Sequence, residues 1–136
     1  GVVSRDADAV DKTGDPDTLF WKLRFMLGEE KEGIGFPSWM TPDFTSNKNT
    51  LVNHDNGSRI LGYAATGDVM SGGRKKAVLF DEFAKFDAGQ DRNALSSTQF
   101  VTDCRILMST PDPAKGASGA FYDQAMKARG IGAMAL

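Results

Sequence analysis

The feature that most limits how this chain can fold is the apolar run Ala77–Phe80, which is followed at once by two acids, Asp81-Glu82. A continuous apolar run of this kind is typical of a strand buried on both faces of a parallel sheet. A second apolar run, Cys104–Met108, lies about one strand–helix–strand unit downstream and ends in Ser109–Pro111. The two runs predict an α/β domain built on a parallel sheet.

Other segments supply the helices and a further strand of this domain. Val2–Ser4 is a short extended run, and Asp15-Pro16 is typical of a helix start, with Asp15 as the cap. Further helices are predicted around residues 91–101 and over residues 120–129. Apolar residues at helical spacing after Pro16 predict one buried helix face, formed by Leu19, Phe20, Leu23, Met26 and Leu27.

The middle of the chain is richer in turn-forming residues. Residues 28–50 are predicted to form an irregular loop anchored by aromatic side chains, and residues 62–73 a second loop. Between them, Leu51–His54 and Ser58–Leu61 flank Asn56-Gly57. Because Asn-Gly between two extended runs is the strongest short signal for a β-hairpin, a hairpin is predicted here.

Composition excludes several classes of protein. The chain has 136 residues and a formal net charge of −2, so it is expected to be one globular domain rather than a strongly basic nucleic-acid module. A basic stripe within a balanced chain would not show in this sum. With one cysteine and one histidine, neither a disulfide framework nor a Cys/His zinc site is expected. No apolar run approaches the ~20 residues that span a bilayer, and no signal peptide is present, so a cytoplasmic location is expected.

The acids after the first run have the form of a Walker B strand. An acid at the carboxyl end of a buried strand can hold Mg²⁺ through water, and a second carboxylate can polarise an attacking water. Asp81 and Glu82 are the candidates for these two roles. Ser109 and Thr110, at the end of the second run, would share the same rim and could sense a phosphate. The alternatives are an acidic pair at an exposed strand end and an ordinary Ser-Thr-Pro turn.

Two phosphate-related motifs are rejected. Gly67–Arg74 has the glycine spacing of a phosphate-binding loop, but Gly73 stands where the lysine is needed and a strand follows where a helix is needed. Asp11–Gly14 matches the phosphorylated-aspartate motif of cation pumps, but the preceding residues are too few and too polar for a buried strand. The sequence therefore contains no Walker A motif.

In their order and spacing, these residues resemble the ATPase domain of the large terminase subunit of tailed bacteriophages and prophages. The resemblance covers most of the chain and rests on these segments: Val3–Arg5, Asp8–Asp11, Leu19–Lys22, Pro37–Met40, Ser58–Asp68, Gly72–Arg74, Ala77–Ala84 and Ser109–Pro111. It implies an incomplete parallel sheet of the P-loop NTPase (RecA/ASCE-like) type with an inserted β-hairpin. It also implies a motor that couples ATP hydrolysis to packaging of double-stranded DNA into a procapsid.

The resemblance assigns roles to the site residues. Asp81 would be the Mg²⁺ acid, Glu82 the catalytic base, and Ser109 with Thr110 the coupling motif, with ATP and Mg²⁺ as cofactors. The implied partners are double-stranded DNA, the portal protein and the small terminase subunit, in a homo-oligomeric ring without a membrane. The implied sheet places residues 77–81 between residues 2–4 and residues 104–109, with the last strand as an open edge.

The chain also departs from this family. The Walker A region, which lies upstream in the family, and the nuclease domain, which lies downstream, are absent, so residues 1–136 are expected to be a single partial ATPase domain, inactive alone. Ser71 stands where the family usually has an arginine. Arg74 is then the remaining candidate to contact a nucleotide across a subunit interface. The alternatives are a fragment of a superfamily-2 helicase, which has similar motifs, and a non-catalytic α/β interaction module.

Overall fold

The computed structural model describes residues 1–30, 32–66, 70 and 72–130, and within them it shows an α/β fold with one mixed sheet. The strand order is β2-β3-β4-β1-β5-β6. β4, β1, β5 and β6 run parallel, whereas β2 and β3 add antiparallel strands at one side. The strands are β1 (Val2–Ser4), β2 (Phe44–Asn47), β3 (Thr50–Asn53), β4 (Arg59–Ala64), β5 (Val78–Phe80) and β6 (Arg105–Leu107).

Helices cover the two faces of this sheet and form two apolar cores. The helices are α1 (Ala7–Val10), α2 (Leu19–Leu27), α3 (Gln90–Ser97) and α4 (Ala120–Ala128), with short 3₁₀ turns at Phe83–Lys85 and Gly116–Ser118. On one face, Val10 and Phe20 from α1 and α2 pack with Leu51. On the other face, α3 and α4 pack on the strands through buried residues that include Val3, Val78, Phe80, Ala94 and Ala120. In the described part of the chain, no helix is long and apolar enough to cross a membrane.

The predicted order of the parallel strands is confirmed. β5 pairs with β1 on one side, where Val3 lies opposite Phe80, and with β6 on the other, where Phe80 lies opposite Leu107. β6 is an edge strand. The predicted burial of β5 on both faces holds only in part, because Val78 and Phe80 are fully buried but Leu79 is half-buried.

The predicted hairpin is confirmed, but the loop before it is shorter than predicted. β3 pairs with β4 in antiparallel fashion, and the Asn53 N–H donates to the Ser58 carbonyl across the turn at 2.8 Å. The prediction of an irregular loop over residues 28–50 is wrong at its end, because Phe44–Asn47 forms β2 and pairs with β3. Asn49, with φ 57°, makes the tight turn between them.

Two further predicted boundaries are wrong. The predicted loop over residues 62–73 begins later, because β4 continues through Gly62 to Ala64. The remainder of that prediction falls partly on Gly67–Val69 and Ser71, which lie outside the described residues. α3 ends at Ser97 rather than near residue 101, and the Thr98 hydroxyl donates to the Ala94 carbonyl at 2.7 Å where the helix stops.

The prediction that Asp15 caps a helix is also wrong. α2 begins only at Leu19, after Thr18, because the Asp15 carboxylate accepts from the Asp17 N–H at 3.1 Å and forms a separate turn. The predicted apolar face of α2 is too wide, since Met26 is 44% exposed. The short helix α1 was not predicted, and the Asp6 carboxylate caps it by accepting from the Ala9 N–H at 2.7 Å.

Candidate functional site

Asp81 and Glu82 lie at the carboxyl edge of the sheet, where β5 ends. The Asp81 N–H still donates to the Val3 carbonyl of β1 at 2.8 Å, and the Phe83 N–H donates to the Met108 carbonyl after β6 at 3.1 Å. Glu82, between them, has a left-handed backbone with φ 50° and ψ 36°. The chain therefore leaves the sheet at Glu82, and both acids line the clefts on either side of β5.

Aromatic packing fixes this change of direction. Phe83 and Phe86, which follow the acids, are fully buried beside Phe80 of β5. Their rings lie 5.3 Å and 6.4 Å from that of Phe80, and 5.2 Å from each other. Left-handed backbone at a residue other than glycine costs about 1–3 kcal/mol and tends to occur at functional sites. Burial of the phenylalanine pair offsets that cost and presents the Glu82 carboxylate at the sheet edge.

The Glu82 carboxylate is held by two cations. Lys85 Nζ lies 3.0 Å from Oε1, and Arg5 Nε lies 3.7 Å from Oε2. The Glu82 side chain is 35% exposed, so these ion pairs lie at the surface. They orient the carboxylate and leave it open to water.

Asp81 has a different environment. The Asp81 carboxylate makes no ion pair within the described residues. Burial raises the pKa of Asp81, and the negative charge of Glu82 raises it further, although Lys22 and Lys85 partly offset these effects. A cation placed at Asp81 would relieve this unfavourable charge.

Ser109 and Thr110 lie at the same edge, after β6. The Ser109 hydroxyl accepts from the Ala84 N–H at 3.0 Å and donates to the Thr110 carbonyl at 2.8 Å. Ser109 and Thr110 line one cleft of about 520 Å³ with Asp81 and Glu82. The structure therefore brings together four of the five residues predicted for the site. It also links the end of β6 directly to the turn that follows Glu82.

Arg74, the fifth predicted residue, lies elsewhere. It precedes β5, whereas Asp81 follows this strand, so the two residues lie at opposite edges of the sheet. Arg74 is exposed beside Lys75, Lys76 and Phe100. The cleft that Arg74 lines with other described residues contains neither Asp81 nor Glu82. Ser71, which stands where the terminase resemblance predicts an arginine, lies outside the described residues.

Sequence reasoning missed the contribution of β1 to this site. Ser4 is fully buried on the cleft beside Asp81, and its hydroxyl has no hydrogen-bond partner among the residues that the structure describes. Arg5, the next residue, contacts Glu82. The predicted sheet already places β1 beside β5 and parallel to it. From that pairing, the residues at the end of β1 could have been predicted to lie beside Asp81 and Glu82.

The residues at this edge fit Mg²⁺ but not the phosphates of ATP. Mg²⁺ is commonly bound through one or two carboxylates and several waters, and Asp81 suits this mode. The described residues contain no group of three or more His, Cys, Asp or Glu side chains placed to hold a metal directly. The phosphates of ATP have no matching cradle, since the sequence contains no glycine-rich loop with a phosphate-binding lysine.

Comparisons of the chain with protein-family models, with characterised proteins and with solved structures give no significant match in any of the three.

Proposed function

We propose that this chain is part of the ATPase domain of a phage or prophage terminase large subunit, which couples ATP hydrolysis to packaging of double-stranded DNA into a procapsid. The observation that carries the proposal is the shared cleft of Asp81, Glu82, Ser109 and Thr110. It lies at the carboxyl ends of two neighbouring parallel strands. Ligands of open α/β sheets bind at this kind of edge.

In this proposal Asp81 and Glu82 have different roles. Asp81, whose carboxylate lacks an ion pair within the described residues, would hold Mg²⁺ through water, and the ion would supply positive charge for the phosphates. Glu82 accepts a proton from the attacking water. Lys85 and Arg5 keep the Glu82 carboxylate oriented for this step.

Ser109 couples the two strand ends. Its hydroxyl binds the Ala84 N–H, two residues beyond Glu82, so a shift of the β6 end would move the base. Contact between Thr110 and a phosphate would change the position of Glu82 through this hydrogen bond. The phosphate-binding loop would come from outside residues 1–136, and Arg74 would reach a nucleotide only from a neighbouring subunit of a ring. Double-stranded DNA, the portal protein and the small terminase subunit are the partners that the proposal implies.

The test is nucleotide hydrolysis by the intact reading frame that contains residues 1–136. Glu82→Gln should leave ATP binding in place and lower hydrolysis by about 10²–10⁴-fold, because it keeps the shape of the side chain and removes the base. Glu32→Gln, an exposed carboxylate outside the cleft, is the matched control and should change neither property. Full hydrolysis by the Glu82→Gln protein would contradict the proposal.

Residues 1–136 alone supply a second arm of the test. They should show no ATP hydrolysis above background, because the phosphate-binding lysine is missing. Turnover by this chain that Glu82→Gln abolishes would contradict this expectation and show that residues 1–136 suffice for hydrolysis.

The ion pairs of Glu82 favour a second candidate, a non-catalytic α/β interaction module in which Lys85 and Arg5 make the acid structural. This candidate predicts no ATP binding by the intact protein. ATP binding that survives Glu82→Gln therefore separates the two functions.

A further inference from the structure

The amino edge of the sheet, opposite the cleft of Asp81 and Glu82, carries a basic run without matching acids. Arg74, Lys75 and Lys76 precede β5 and, with the Gln99–Cys104 segment before β6, line a cleft of about 440 Å³. None of the three cations forms an ion pair within the described residues. The Lys75 ammonium donates long hydrogen bonds to the carbonyls of Gly72 and Gly73, at 3.4 Å and 3.3 Å. Asp103 is the one acid on this cleft among the described residues.

Backbone contacts hold this edge in shape. The Lys75 N–H donates to the Val101 carbonyl at 2.9 Å, and the Thr102 hydroxyl donates to the Lys76 carbonyl at 3.1 Å. Val101 and Thr102 are buried. The basic run is thereby attached to the turn before β6, and little ordering would be needed for a ligand to bind across both.

Phe100 gives this surface a second recognition element. Its side chain is 84% exposed, although the next two residues, Val101 and Thr102, are buried and anchor the turn. The ring is therefore presented to solvent by a fixed backbone. Exposed aromatic rings beside cations are the elements with which proteins bind single-stranded nucleic acid, since the ring stacks on a base and the cations neutralise phosphates.

The overall charge of −2 conceals this surface because charge is separated across the sheet. The cleft at the opposite edge between β1 and β5 is lined by six acids, Asp6, Asp8, Asp15, Asp17, Asp81 and Glu82, against two cations, Arg5 and Lys22. The three residues of β5 separate the two edges by about 10 Å. This exceeds the Debye length of about 8 Å at physiological salt, so the acids do not cancel the attraction of the basic edge for phosphate.

We propose that Arg74, Lys75, Lys76 and Phe100 form a binding surface for single-stranded nucleic acid, with the cations on successive phosphates and the ring against an unpaired base. The surface does not depend on ATP hydrolysis or on the function proposed above. It accounts together for the exposed ring and for three cations that have no acidic partner within the described residues.

The test is fluorescence anisotropy of a labelled 20-nucleotide oligo(dT) with residues 1–136 in the absence of nucleotide. Binding is expected with a Kd of about 1–100 μM at physiological salt, the range of non-specific association. Three neutralised phosphates on a single strand predict a slope of about −2 for log K against log salt concentration. A duplex of the same length should bind more weakly, because its bases are not available for stacking.

Two variants separate the elements of the surface. Arg74→Gln/Lys75→Gln/Lys76→Gln should abolish the salt-dependent binding. The control Lys12→Gln/Lys22→Gln/Lys48→Gln changes the net charge equally on other parts of the surface and should retain it. Phe100→Ala should weaken binding at least about fivefold and leave the salt slope unchanged. Matching thermal unfolding curves verify that each variant is folded.

Several results would overturn the inference. Equal loss in the two triple variants would show that only net charge matters. Full binding by Phe100→Ala, or a duplex bound as tightly as the single strand, would exclude stacking. Displacement of the oligonucleotide by an equal concentration of oligoglutamate would indicate an acidic protein partner instead. None of these results bears on Glu82 or on hydrolysis, so failure here is distinct from failure of the proposed function.

Discussion

A buried ion pair between Asp11 and Arg24 ties several elements of the fold together. The Asp11 carboxylate accepts from both terminal nitrogens of Arg24 at 2.7 Å and from the Asn49 N–H at 2.7 Å. It joins the end of α1, the helix α2 and the β2–β3 turn. Asp11 begins the segment that resembles the phosphorylated motif of cation pumps. With its oxygens engaged and its side chain 3% exposed, Asp11 has a structural role.

Removing one partner of this pair should destabilise the protein strongly. We expect Asp11→Ala to lower the free energy of unfolding by about 3–5 kcal/mol, because it removes the buried carboxylate that binds both terminal nitrogens of Arg24 and leaves only the exposed Glu29, at 4.0 Å, as a counter-ion. The control is Asp123→Ala, which removes an exposed partner 4.0 Å from Arg92 and should cost less than about 1 kcal/mol. Urea denaturation of the two variants measures the difference. Equal losses would show that the buried pair has no special role.

Removing the Asp81 carboxylate should stabilise the protein at pH 7, whereas removing the Asp11 carboxylate should destabilise it. Burial and the charge of Glu82 raise the pKa of Asp81 above its usual value of 3.8, so its ionisation opposes folding. Stability contributed by the protonated form is lost as pH rises from the unfolded pKa through the folded pKa. Asp81→Asn should therefore raise the melting temperature at pH 7, and the gain should shrink as the pH falls through this range. A melting temperature lowered at pH 7 would contradict this expectation.

At the scale of single elements, close packing explains the glycine inside β4. A Cβ atom on Gly62 would lie 2.5 Å from Val10 Cγ1 and 2.6 Å from Phe20 Cε2. Glycine is therefore needed for α1 and α2 to approach the strand. Sequence reasoning took this glycine for the start of a loop because the helices that pack on it are distant in the sequence.

A double-mutant cycle tests this explanation. Gly62→Ala should cost about 1–3 kcal/mol of unfolding free energy, the usual effect of overpacking a core. In a Val10→Ala background the same substitution should cost less, because the nearest clashing methyl group is gone. Thermal or urea unfolding of the four proteins gives the coupling energy. If the two substitutions are simply additive, the close contact does not explain the glycine.

The sequence predicted those elements whose signals are local. The apolar runs at Ala77–Phe80 and Cys104–Met108 and the Asn56-Gly57 turn each contain their own signal, and all three predictions match the structure. β2 was missed because Phe44–Asn47 is mostly polar and becomes a strand only by pairing with β3. The place of Arg5 beside Glu82 depends likewise on the pairing of β1 with β5. Such features depend on tertiary pairing and are not visible in a local pattern.

At the scale of the whole molecule, β6 is the last strand of the sheet, and no other described strand pairs with its outer side. The Cys104 carbonyl accepts from the Val78 N–H and the Met108 N–H donates to the Phe80 carbonyl, each at 2.9 Å, so these residues face β5. Alternation along a parallel strand then directs the backbone groups of Arg105 and Leu107 away from the sheet. Ile106 is 47% exposed and Met108 is 51% exposed beside them. An edge of this kind is a template for another strand.

This edge predicts that residues 1–136 associate through β6 as their concentration rises. Arg105→Pro should suppress the association, because proline removes an outward N–H and leaves the hydrogen bonds to β5 intact. Ile106→Pro is the contrasting variant: Ile106 faces β5, so this change should break the ladder and lower the melting temperature. Sedimentation velocity over a concentration series measures the association, and circular dichroism measures the melting temperature. Association that persists unchanged in a folded Arg105→Pro protein would place the contact elsewhere on the surface. A monomer at all concentrations would show that the three-residue edge is too short to pair with a second chain.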